Sequence, residues 1–510
     1  MFQQLIEPID KFIDSISMYR LLMYYLLGLL IAAVGLSVVG DMHYSAIQIV
    51  ISATVLVTAC WLINKVFAYI FYVPVNPESS ILTGLILALI IPPSLGNFGF
   101  LFLLAAAGLA IGSKYILTIR EKHIFNPAAL AVVLTALGPR QNASWWIGTA
   151  VMLPFVIAGG VLIMRKVRRE YMVVSFLIAS TIATLLFTIV GQSSLTSSLH
   201  NMILSSPLFF LGFVMLTEPY TSPTTKNKQI VYAALVGVLL APQFHLGHFY
   251  TSPEIALVVG NIFAYIVSSK TKLFPVLREK IKIAQDTVEF AFIPDRKLAY
   301  QPGQYMEWTL PHDNADSRGS RRWFTLASSP TENQLRLGIK FYNNGSSYKA
   351  AMLNMDQNTP IVAAQIAGDF VMPSDTAKKL VFIAGGIGIT PFRSMIKYLV
   401  DTGQQRSVRL LYSARTEADF AYKDLFESAR QNSGIKTLYV VSDVGAQISA
   451  PNTVRGIVNS DIIKQYIPDY VDCMFYISGT HSMVEAMQNV LRQLGVSHHK
   501  VKTDFFPGYV

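Results

Sequence analysis

The chain has 510 residues, of which 52% are hydrophobic and only 14% charged, so it is too apolar and too long to be one soluble domain. Its formal net charge of +10 does not indicate nucleic-acid binding, because much of the basic excess lies in short loops between apolar segments. Its two cysteines are too few to ligate an iron–sulfur cluster, and no disulfide is expected.

The region between Leu21 and about Val267 is a series of apolar segments, many near the length that crosses a hydrocarbon core of ~30 Å. About ten segments are predicted, at approximately 21–40, 46–64, 81–93, 98–117, 127–138, 145–164, 172–190, 203–216, 229–241 and 254–268. The Asn126-Pro127 pair predicts a broken or re-entrant helix, a feature that often lines a ligand site. We therefore expect a polytopic α-helical membrane domain of about ten helices over residues 1–272.

Basic residues indicate the orientation of this domain. Lys65, Lys122 and the cluster at 165–169 fall in alternate loops, whereas Arg140 falls in an opposite-side loop. Because Lys and Arg favour the cytoplasmic side, both termini and the C-terminal half are predicted to lie in the cytoplasm. The amphipathic segment 1–20 carries acids and does not read as a signal peptide. The sequence predicts an integral protein of the cytoplasmic (inner) membrane.

Beyond Lys272, short runs of alternating apolar residues indicate an antiparallel barrel. Its strands are predicted at 281–284, 287–292, 305–310 and 335–341. We expect an FAD-binding β-barrel domain over residues 273–375.

From about Ala377 the pattern changes to strand, glycine turn and helix. Strands are predicted at 379–384 and 407–412, with a helix near 391–400 between them. This alternation is typical of a parallel α/β sheet. We expect a nucleotide-binding α/β domain over residues 376–510.

The sequence Arg322-Trp323-Phe324-Thr325 resembles the Arg-x-Tyr-Ser/Thr motif of the ferredoxin–NADP reductase superfamily, and the resemblance covers essentially all of 273–510. In that family the arginine pairs with the FAD pyrophosphate, the aromatic ring packs on the flavin, and the hydroxyl approaches flavin N5. A planar guanidinium suits a pyrophosphate because it engages two oxygens together. Thr325 is accordingly a catalytic candidate. The other FAD contacts implied by the resemblance are Tyr305, Trp323, Gly345, Ser346 and Ser347.

A glycine turn, Gly385-Gly386-Ile-Gly388-Ile-Thr390-Pro391, follows a predicted strand and opens a predicted helix, as a dinucleotide site requires. With the downstream run Ser478-Gly479-Thr-His-Ser-Met483 it resembles the family's NAD(P)H site, where cysteine is usual at the position of Ser478. The resemblance implies catalytic roles for Ser478 and Asp504. It implies cofactor contacts for Gly385, Gly386, Gly388, Thr390, Pro391, Ser413, Arg415, Gly479, Met483, Phe506 and Tyr509.

The choice between NADH and NADPH stays open at this point. Arg415 suits a 2′-phosphate, yet the sequence Ala414-Arg-Thr416 is at home in NADH-using relatives. The balance slightly favours NADH, so the cofactor is written NAD(P)H.

Two motifs of the membrane half resemble the homologous membrane proteins of Rnf complexes and of sodium-translocating NADH:quinone reductase. They are the run 113–129, with His123-Ile-Phe-Asn126-Pro-Ala, and Leu216-Thr-Glu-Pro-Tyr-Thr-Ser-Pro-Thr-Thr225. The resemblance implies a ten-helix inverted repeat that holds a second flavin, FMN or riboflavin. The implied flavin or phosphate contacts are Asn126, Thr221, Thr224 and Thr225. The family's Ser-Gly-Ala-Thr attachment sequence is absent, and Ser193-Ser-Leu-Thr196 is only a degenerate version of it, so a non-covalent flavin is favoured and covalent attachment stays the alternative.

Two alternatives to a flavin-bearing membrane domain remain open. A haem-bearing bundle of the NADPH oxidase and ferric reductase class needs paired histidines on two helices. The membrane half has His43, His123, His200, His245 and His248, nearly all in loops or at segment ends, so no metal site is expected. The other alternative is a transporter whose dinucleotide domain only senses redox state.

We therefore expect an NAD(P)H-dependent membrane flavoprotein oxidoreductase. Electrons would pass from NAD(P)H through FAD to the membrane flavin and then to a quinone or an opposite-side acceptor, with coupling to ion transport left open. The expected partners are the nicotinamide dinucleotide, the electron acceptor, the lipid bilayer and further redox subunits.

Overall fold

The computed structural model describes residues 12–13, 16–71, 77–119, 122–137, 143–241, 244–246, 249–268, 272–316, 319–342, 345–449 and 451–506. It contains two compact units, Met1–Lys270 and Thr271–Val510.

The first unit is built from helices, and each of the ten predicted apolar segments contains one. The helices are α1 (Met18–Val39), α2 (Ala46–Ile70), α3 (Pro77–Ile90), α4 (Asn97–Ile116), α5 (Pro127–Leu137), α6 (Leu153–Val167), α7 (Glu170–Val190), α8 (Leu195–Leu204), α9 (Leu208–Met215), α10 (Lys226–Leu240) and α11 (Pro253–Val267).

Four of these helices, α1, α2, α4 and α7, are long and apolar enough to cross a membrane. Helices α8 and α9 form a pair bent by 53°, which is either a broken span or a re-entrant loop. Helices α3, α5 and α11 are apolar but shorter. Several apolar helices are thus confirmed, while the number of crossings stays a prediction.

The first unit repeats one local motif. A two-strand hairpin, β1 (Thr118–Ile119) with β2 (Lys122–His123), precedes the short helix α5, which begins with a proline. A second hairpin, β3 (His245–Leu246) with β4 (Phe249–Tyr250), precedes the short helix α11, which also begins with a proline. Helices α5 and α11 pack against each other. This duplication fits a repeat; its inverted orientation stays a prediction.

Small residues allow close helix packing at two places in the first unit. A Cβ at Gly84 of α3 would lie 2.7 Å from Val57 Cα of α2, and one at Gly237 of α10 would lie 2.7 Å from Phe176 O of α7. Any larger side chain would push these helices apart.

The second unit contains two antiparallel sheets and one parallel sheet. Its strands are β5 (Lys272–Leu273), β6 (Val276–Ala284), β7 (Thr287–Ile293), β8 (Tyr305–Thr309), β9 (Arg321–Thr325), β10 (Leu335–Lys340), β11 (Val362–Ala367), β12 (Leu380–Gly385), β13 (Val408–Ala414), β14 (Lys436–Val441), β15 (Thr453–Arg455), β16 (Met474–Thr480) and β17 (Val501–Phe506). The antiparallel sheets have the orders β10-β7-β6 and β5-β11-β8-β9. Closure of these two sheets into a barrel stays a prediction.

The parallel sheet has the order β15-β14-β13-β12-β16-β17, which confirms the predicted α/β domain. Phe382 and Leu410 contribute to the core on one face, while Val381 and Leu411 contribute to the core on the other. Both faces are covered, as parallel sheets require. The helices of this unit are α12 (Ser347–Asn354), α13 (Thr390–Thr402), α14 (Lys423–Ser433), α15 (Ser460–Tyr466) and α16 (His481–Gln493).

Candidate functional site

The predicted flavin strand is β9, which pairs with β8 in antiparallel register. Tyr305 lies directly opposite Thr325. The ring of Tyr305 meets that of Trp323 edge-on, with centroids 5.3 Å apart, and Trp323 is 42% exposed. Because alternate side chains of a strand face opposite ways, Arg322 and Phe324 lie on the other face from Trp323 and Thr325.

Arg322 and the start of α12 converge on one place. The guanidinium carbon of Arg322 lies 5.1 Å from the ring centroid of Tyr348, and the ring of Phe324 lies 5.9 Å from the same ring. Arg322 Nη2 also donates to Asp316 Oδ1 at 3.1 Å. Burial raises the pKa of the Tyr348 phenol, and the Arg322 charge acts in the opposite sense. A guanidinium beside a helix N-terminus is an arrangement that suits an anion.

The two serines at this helix start have different partners. Ser346 caps the helix, accepting a hydrogen bond from Lys349 N at 3.3 Å. Ser347 Oγ accepts from Asp316 N at 2.9 Å and lies 3.0 Å from His312 Nε2. Gly345 precedes them, and its N–H donates to Tyr342 O at 3.0 Å. The serine hydroxyls thus organise the helix start, where the first backbone N–H groups have no partner within the helix.

The hydroxyls at two predicted catalytic positions are buried. Thr325 is 4% exposed and Ser478 is 0% exposed. Neither Thr325 Oγ1 nor Ser478 Oγ has a hydrogen-bond partner among the residues that the structure describes. Buried hydroxyls are normally paired, so a bound group could use both. Other hydroxyls of this unit, those of Thr437 and Thr453 among them, are also without a partner among these residues, so the feature is not specific to the site.

The glycine turn requires glycine at Gly388 because of close backbone packing and favours it at Gly386 because of the backbone conformation. Gly385 ends β12, and Gly386 has a φ of +53°, which favours glycine. A Cβ at Gly388 would lie 2.3 Å from Ser478 O, and one at Gly385 would lie 2.1 Å from Met483 Sδ. A Cβ at Gly479 would lie 2.9 Å from the same sulfur. The structure thus brings the glycine turn together with the Ser478–Met483 segment.

Thr390 begins α13, with Pro391 in its first turn. The Thr390 hydroxyl donates to Ile387 O at 3.2 Å, and the residue is 2% exposed. This hydroxyl therefore stabilises the turn, and its predicted contact with the dinucleotide stays a prediction.

The predicted adenosine side lies at the end of β13. Ser413 pairs in register with Gly385 of the neighbouring strand, so it ends at the same sheet edge as the glycine turn. Arg415 follows the strand and its side chain is exposed. Its backbone carbonyl accepts from Asp443 N at 3.1 Å. Ligands of open α/β sheets bind at this edge.

The predicted C-terminal segment forms β17 beside β16. Asp504 pairs in register with Ser478, and Phe506 pairs with Thr480. Asp504 thus lies next to the predicted nicotinamide position. The Phe506 side chain and the whole of Tyr509 lie outside the described residues.

In the membrane unit, the half-buried carboxylate of Glu218 accepts hydrogen bonds from two of the predicted contacts, Asn126 and Thr221. Asn126 Nδ2 donates to Glu218 Oε2 at 2.7 Å, and Thr221 Oγ1 donates to the same oxygen at 3.1 Å. Asn261 Oδ1 accepts from Asn126 N at 2.8 Å, and Asn261 Nδ2 donates to Thr221 O at 3.1 Å. The Nε2 of His123 lies 3.8 Å from Glu218 Oε1. Asn126 and Thr221 therefore satisfy a protein carboxylate.

Sequence reasoning missed the roles of Glu218, His123 and Asn261 in this cluster. Glu218 lies inside the Thr-Glu-Pro sequence that carries the resemblance, and an ionisable residue at membrane depth is itself a signal of function. Thr224 and Thr225 are half-buried just before α10, and the Thr225 side chain does not cap that helix. Their flavin contacts stay predictions. No cluster of three or more His, Cys, Asp or Glu side chains suited to a metal occurs within the described ranges.

Comparison with known proteins agrees with both resemblances. Residues 137–273 match the model of the NQR2, RnfD, RnfE family, and residues 382–489 match the oxidoreductase NAD-binding domain. The flavohemoprotein of Bacillus subtilis is 25% identical over 236 residues, which cover 45% of this chain and 58% of that protein. The glycine betaine monooxygenase reductase subunit of Chromohalobacter salexigens is 25% identical over 228 residues, covering 43% of this chain and 61% of that protein. This chain thus spans about three-fifths of the length of these curated relatives.

One similar solved structure is the cytochrome P450 reductase GcoB of Amycolatopsis. It is 23% identical, covers 46% of this chain and 70% of its own, and has a TM-score of 0.42.

Proposed function

We propose that the protein is a membrane-bound NAD(P)H oxidoreductase. The chain joins an NQR2, RnfD, RnfE-type membrane domain to a ferredoxin reductase-type FAD/NAD(P)H domain. The observation that carries this proposal is the pair of unpartnered buried hydroxyls, Thr325 and Ser478, at the two predicted catalytic positions. Arg322 and the start of α12 would supply an anion site on the other face of the strand that carries Thr325, and the glycine turn packs against the segment that begins at Ser478.

The residues of the second unit fit FAD and NAD(P)H. Arg322 and the N–H groups at the start of α12 would hold the FAD pyrophosphate, and Phe324 would pack on the ring system. Gly385, Gly386 and Gly388 would admit the dinucleotide backbone, with Ser413 and Arg415 on its adenosine side. When bound, FAD accepts a hydride and releases electrons singly. Thr325 would offer its hydroxyl to the flavin ring, while Ser478 and Asp504 would line the nicotinamide.

The membrane unit would take these electrons onward. We infer a second, non-covalent flavin, FMN or riboflavin, supported by the family match and by the two short proline-led helices. Asn126, just before α5, and Thr221, Thr224 and Thr225, just before α10, would be its contacts. A quinone or an opposite-side acceptor would receive the electrons, and further redox subunits would be the protein partners.

The proposed location is the cytoplasmic (inner) membrane, with the reductase unit and both termini in the cytoplasm. The alternation of basic loops supports this orientation. Single cysteines introduced into the loops of the protein, and labelled in intact cells, test this orientation. Labelling of the reductase unit from outside the cell would contradict it.

The test of function is flavin content and turnover of the purified full-length chain. Acid extraction should release FAD together with FMN or riboflavin, and NAD(P)H should drive rapid reduction of a quinone. A Soret band would instead indicate haem, and flavin retained after denaturation would indicate covalent attachment. A protein that binds NAD(P)H without turnover would be a sensor, which contradicts the proposal.

A further inference from the structure

A buried arginine ties the predicted dinucleotide helix to the segment that follows the flavin strand. Arg393 lies in the first turn of α13, and its Nη1 donates to Ala327 O at 3.0 Å. Arg393 also forms a two-pronged pair with Glu332, in which Nη2 donates to Oε1 at 2.9 Å. Ser394 Oγ donates to Ser328 O at 2.6 Å. Helix α13 is thereby bonded to backbone carbonyls two and three residues after Thr325.

A second arginine extends this contact into the antiparallel sheet. Arg336 of β10 pairs with Glu289 of β7, and its Nε lies 3.5 Å from Glu332 Oε1. Glu332 is therefore shared by Arg336 and Arg393. Glu289 is 2% exposed and Arg393 is 8% exposed, so two cations and two anions balance in a largely buried position.

Beside this network, the backbone of β10 packs closely against two side chains, those of Tyr422 and Thr390. A Cβ at Gly338 of β10 would lie 2.7 Å from Tyr422 Oη and 2.9 Å from Thr390 Cγ2. The Arg393 guanidinium carbon lies 5.6 Å from the ring centroid of the same tyrosine. The strand and the start of α13 thus have little freedom to shift.

Burying charges costs more than burying apolar side chains of the same size, so stability alone does not explain this network. Two-pronged arginine–carboxylate pairs do fix direction and distance. Transfer between two bound groups depends on such a fixed distance, since a displacement of about 1 Å costs on the order of a hundredfold in rate.

We propose that Arg393 and Glu332 are positioning residues that set the approach of the nicotinamide to the flavin. The pair fixes α13, which begins at the glycine turn, relative to the strand end that carries Thr325. This inference rests on the proposed function, because it needs both cofactors to bind where the geometry supports them.

The test compares Arg393→Met with Arg430→Met in the full-length protein. Arg430 pairs with Glu427 at 2.9 Å on the exposed surface of α14, so it controls for loss of an ion pair. Arg393→Met should retain FAD and keep KM within about twofold, while reduction of FAD by NAD(P)H slows by on the order of tenfold or more. The deuterium isotope effect on that reduction should rise, and Arg430→Met should match wild type. Equal rates for both variants, or a rate loss that only follows FAD content, would overturn the proposal.

A second readout does not depend on turnover. Hydrogen exchange of the FAD-free protein should quicken in residues 326–332 and at the start of α13 in Arg393→Met, and Arg393→Lys should restore part of the protection. Unchanged exchange in these segments would overturn the proposal. If Arg393→Met does not fold, Ser394→Ala removes one of the same ties and should show the same pattern at smaller size. If NAD(P)H does not reduce the wild-type protein, the proposed function is refuted. The hydrogen-exchange result still tests whether Arg393 holds α13 against residues 326–332.

Discussion

The threonines that the sequence places at flavin sites differ between the two units. The Thr325 hydroxyl in the reductase unit is buried without a hydrogen-bond partner among the described residues. The Thr221 hydroxyl in the membrane unit donates to Glu218 at 3.1 Å, alongside Asn126. The Thr325 hydroxyl can therefore still form a hydrogen bond, whereas the Thr221 hydroxyl is already bonded to a protein carboxylate.

The charges of the two units differ in the same way. Arg322 lies at a helix start, where its Asp316 partner is 25% exposed in the side chain and an anionic ligand can compete with it. The Glu218 side chain is 27% exposed, much like Asp316, but it is an anion that accepts hydrogen bonds from Asn126 and Thr221 and lies 3.8 Å from His123. A phosphate would have to approach this carboxylate, so a neutral ring system is the better occupant near Asn126. The reductase site is thus organised for an anionic cofactor, whereas the membrane cluster is not.

The largest expected effect is loss of stability on replacing Glu218 with leucine. Asn126 and Thr221 would lose their acceptor, and unsatisfied buried donors together cost about 3 kcal/mol. Thermal unfolding in detergent should show a Tm several degrees lower. Glu218→Gln should recover part of the loss, and the exposed Glu170→Gln should match wild type. An unchanged Tm for Glu218→Leu would show that the cluster does not stabilise the membrane unit.

Next in size is FAD affinity in Arg322→Met. Loss of a charge-assisted contact with pyrophosphate should cost about 2 kcal/mol, roughly a thirtyfold rise in Kd. The matched control is Arg321→Met on the same strand, whose side chain faces the other way and lies 3.8 Å from Glu307. Fluorescence titration of the FAD-free protein measures both. Equal losses of FAD affinity in the two variants would show that Arg322 does not contact FAD.

Paired threonine-to-valine changes test the contrast itself. Thr325→Val should leave the stability of the FAD-free protein within about 0.5 kcal/mol of wild type, because the lost hydroxyl has no partner to strand. Thr221→Val should cost about 1 kcal/mol, because Glu218 loses a donor. Thr325→Val should also slow FAD reduction by NAD(P)H. Chemical unfolding curves that reversed the order of the two stability losses would refute the contrast.

The smallest expected effect concerns Asp469, a structural carboxylate of the reductase unit. Hydrogen bonds from Lys379 and Arg409 lower the pKa of Asp469 to about 2. A carboxyl whose pKa is lower in the folded state stabilises the folded protein at pH values above the ordinary carboxyl pKa. This contribution disappears as the pH falls from about 4 through 2. Asp469→Asn should therefore flatten stability over that window and leave FAD affinity unchanged. An acid limb identical to wild type would show that the pairing contributes nothing.

Local patterns account for what could be predicted of the fold. Strands predicted at 287–292 and 335–341 match β7 and β10, and the helix predicted at 391–400 lies within α13. The glycine turn was predictable because its residues are consecutive in the sequence. The membrane cluster was not, since Asn126 and Glu218 are separated by 92 positions and no local period links them. The Arg393–Glu332 pair was hidden for the same reason, being 61 positions apart.

Anaerobic reduction of the purified full-length protein by NAD(P)H tests the central claim most directly. Visible flavin absorbance should bleach on addition of NAD(P)H, first for FAD in the reductase unit and then for the membrane flavin, and a quinone should restore it. Flavin that stays fully oxidised in the presence of NAD(P)H would contradict the account.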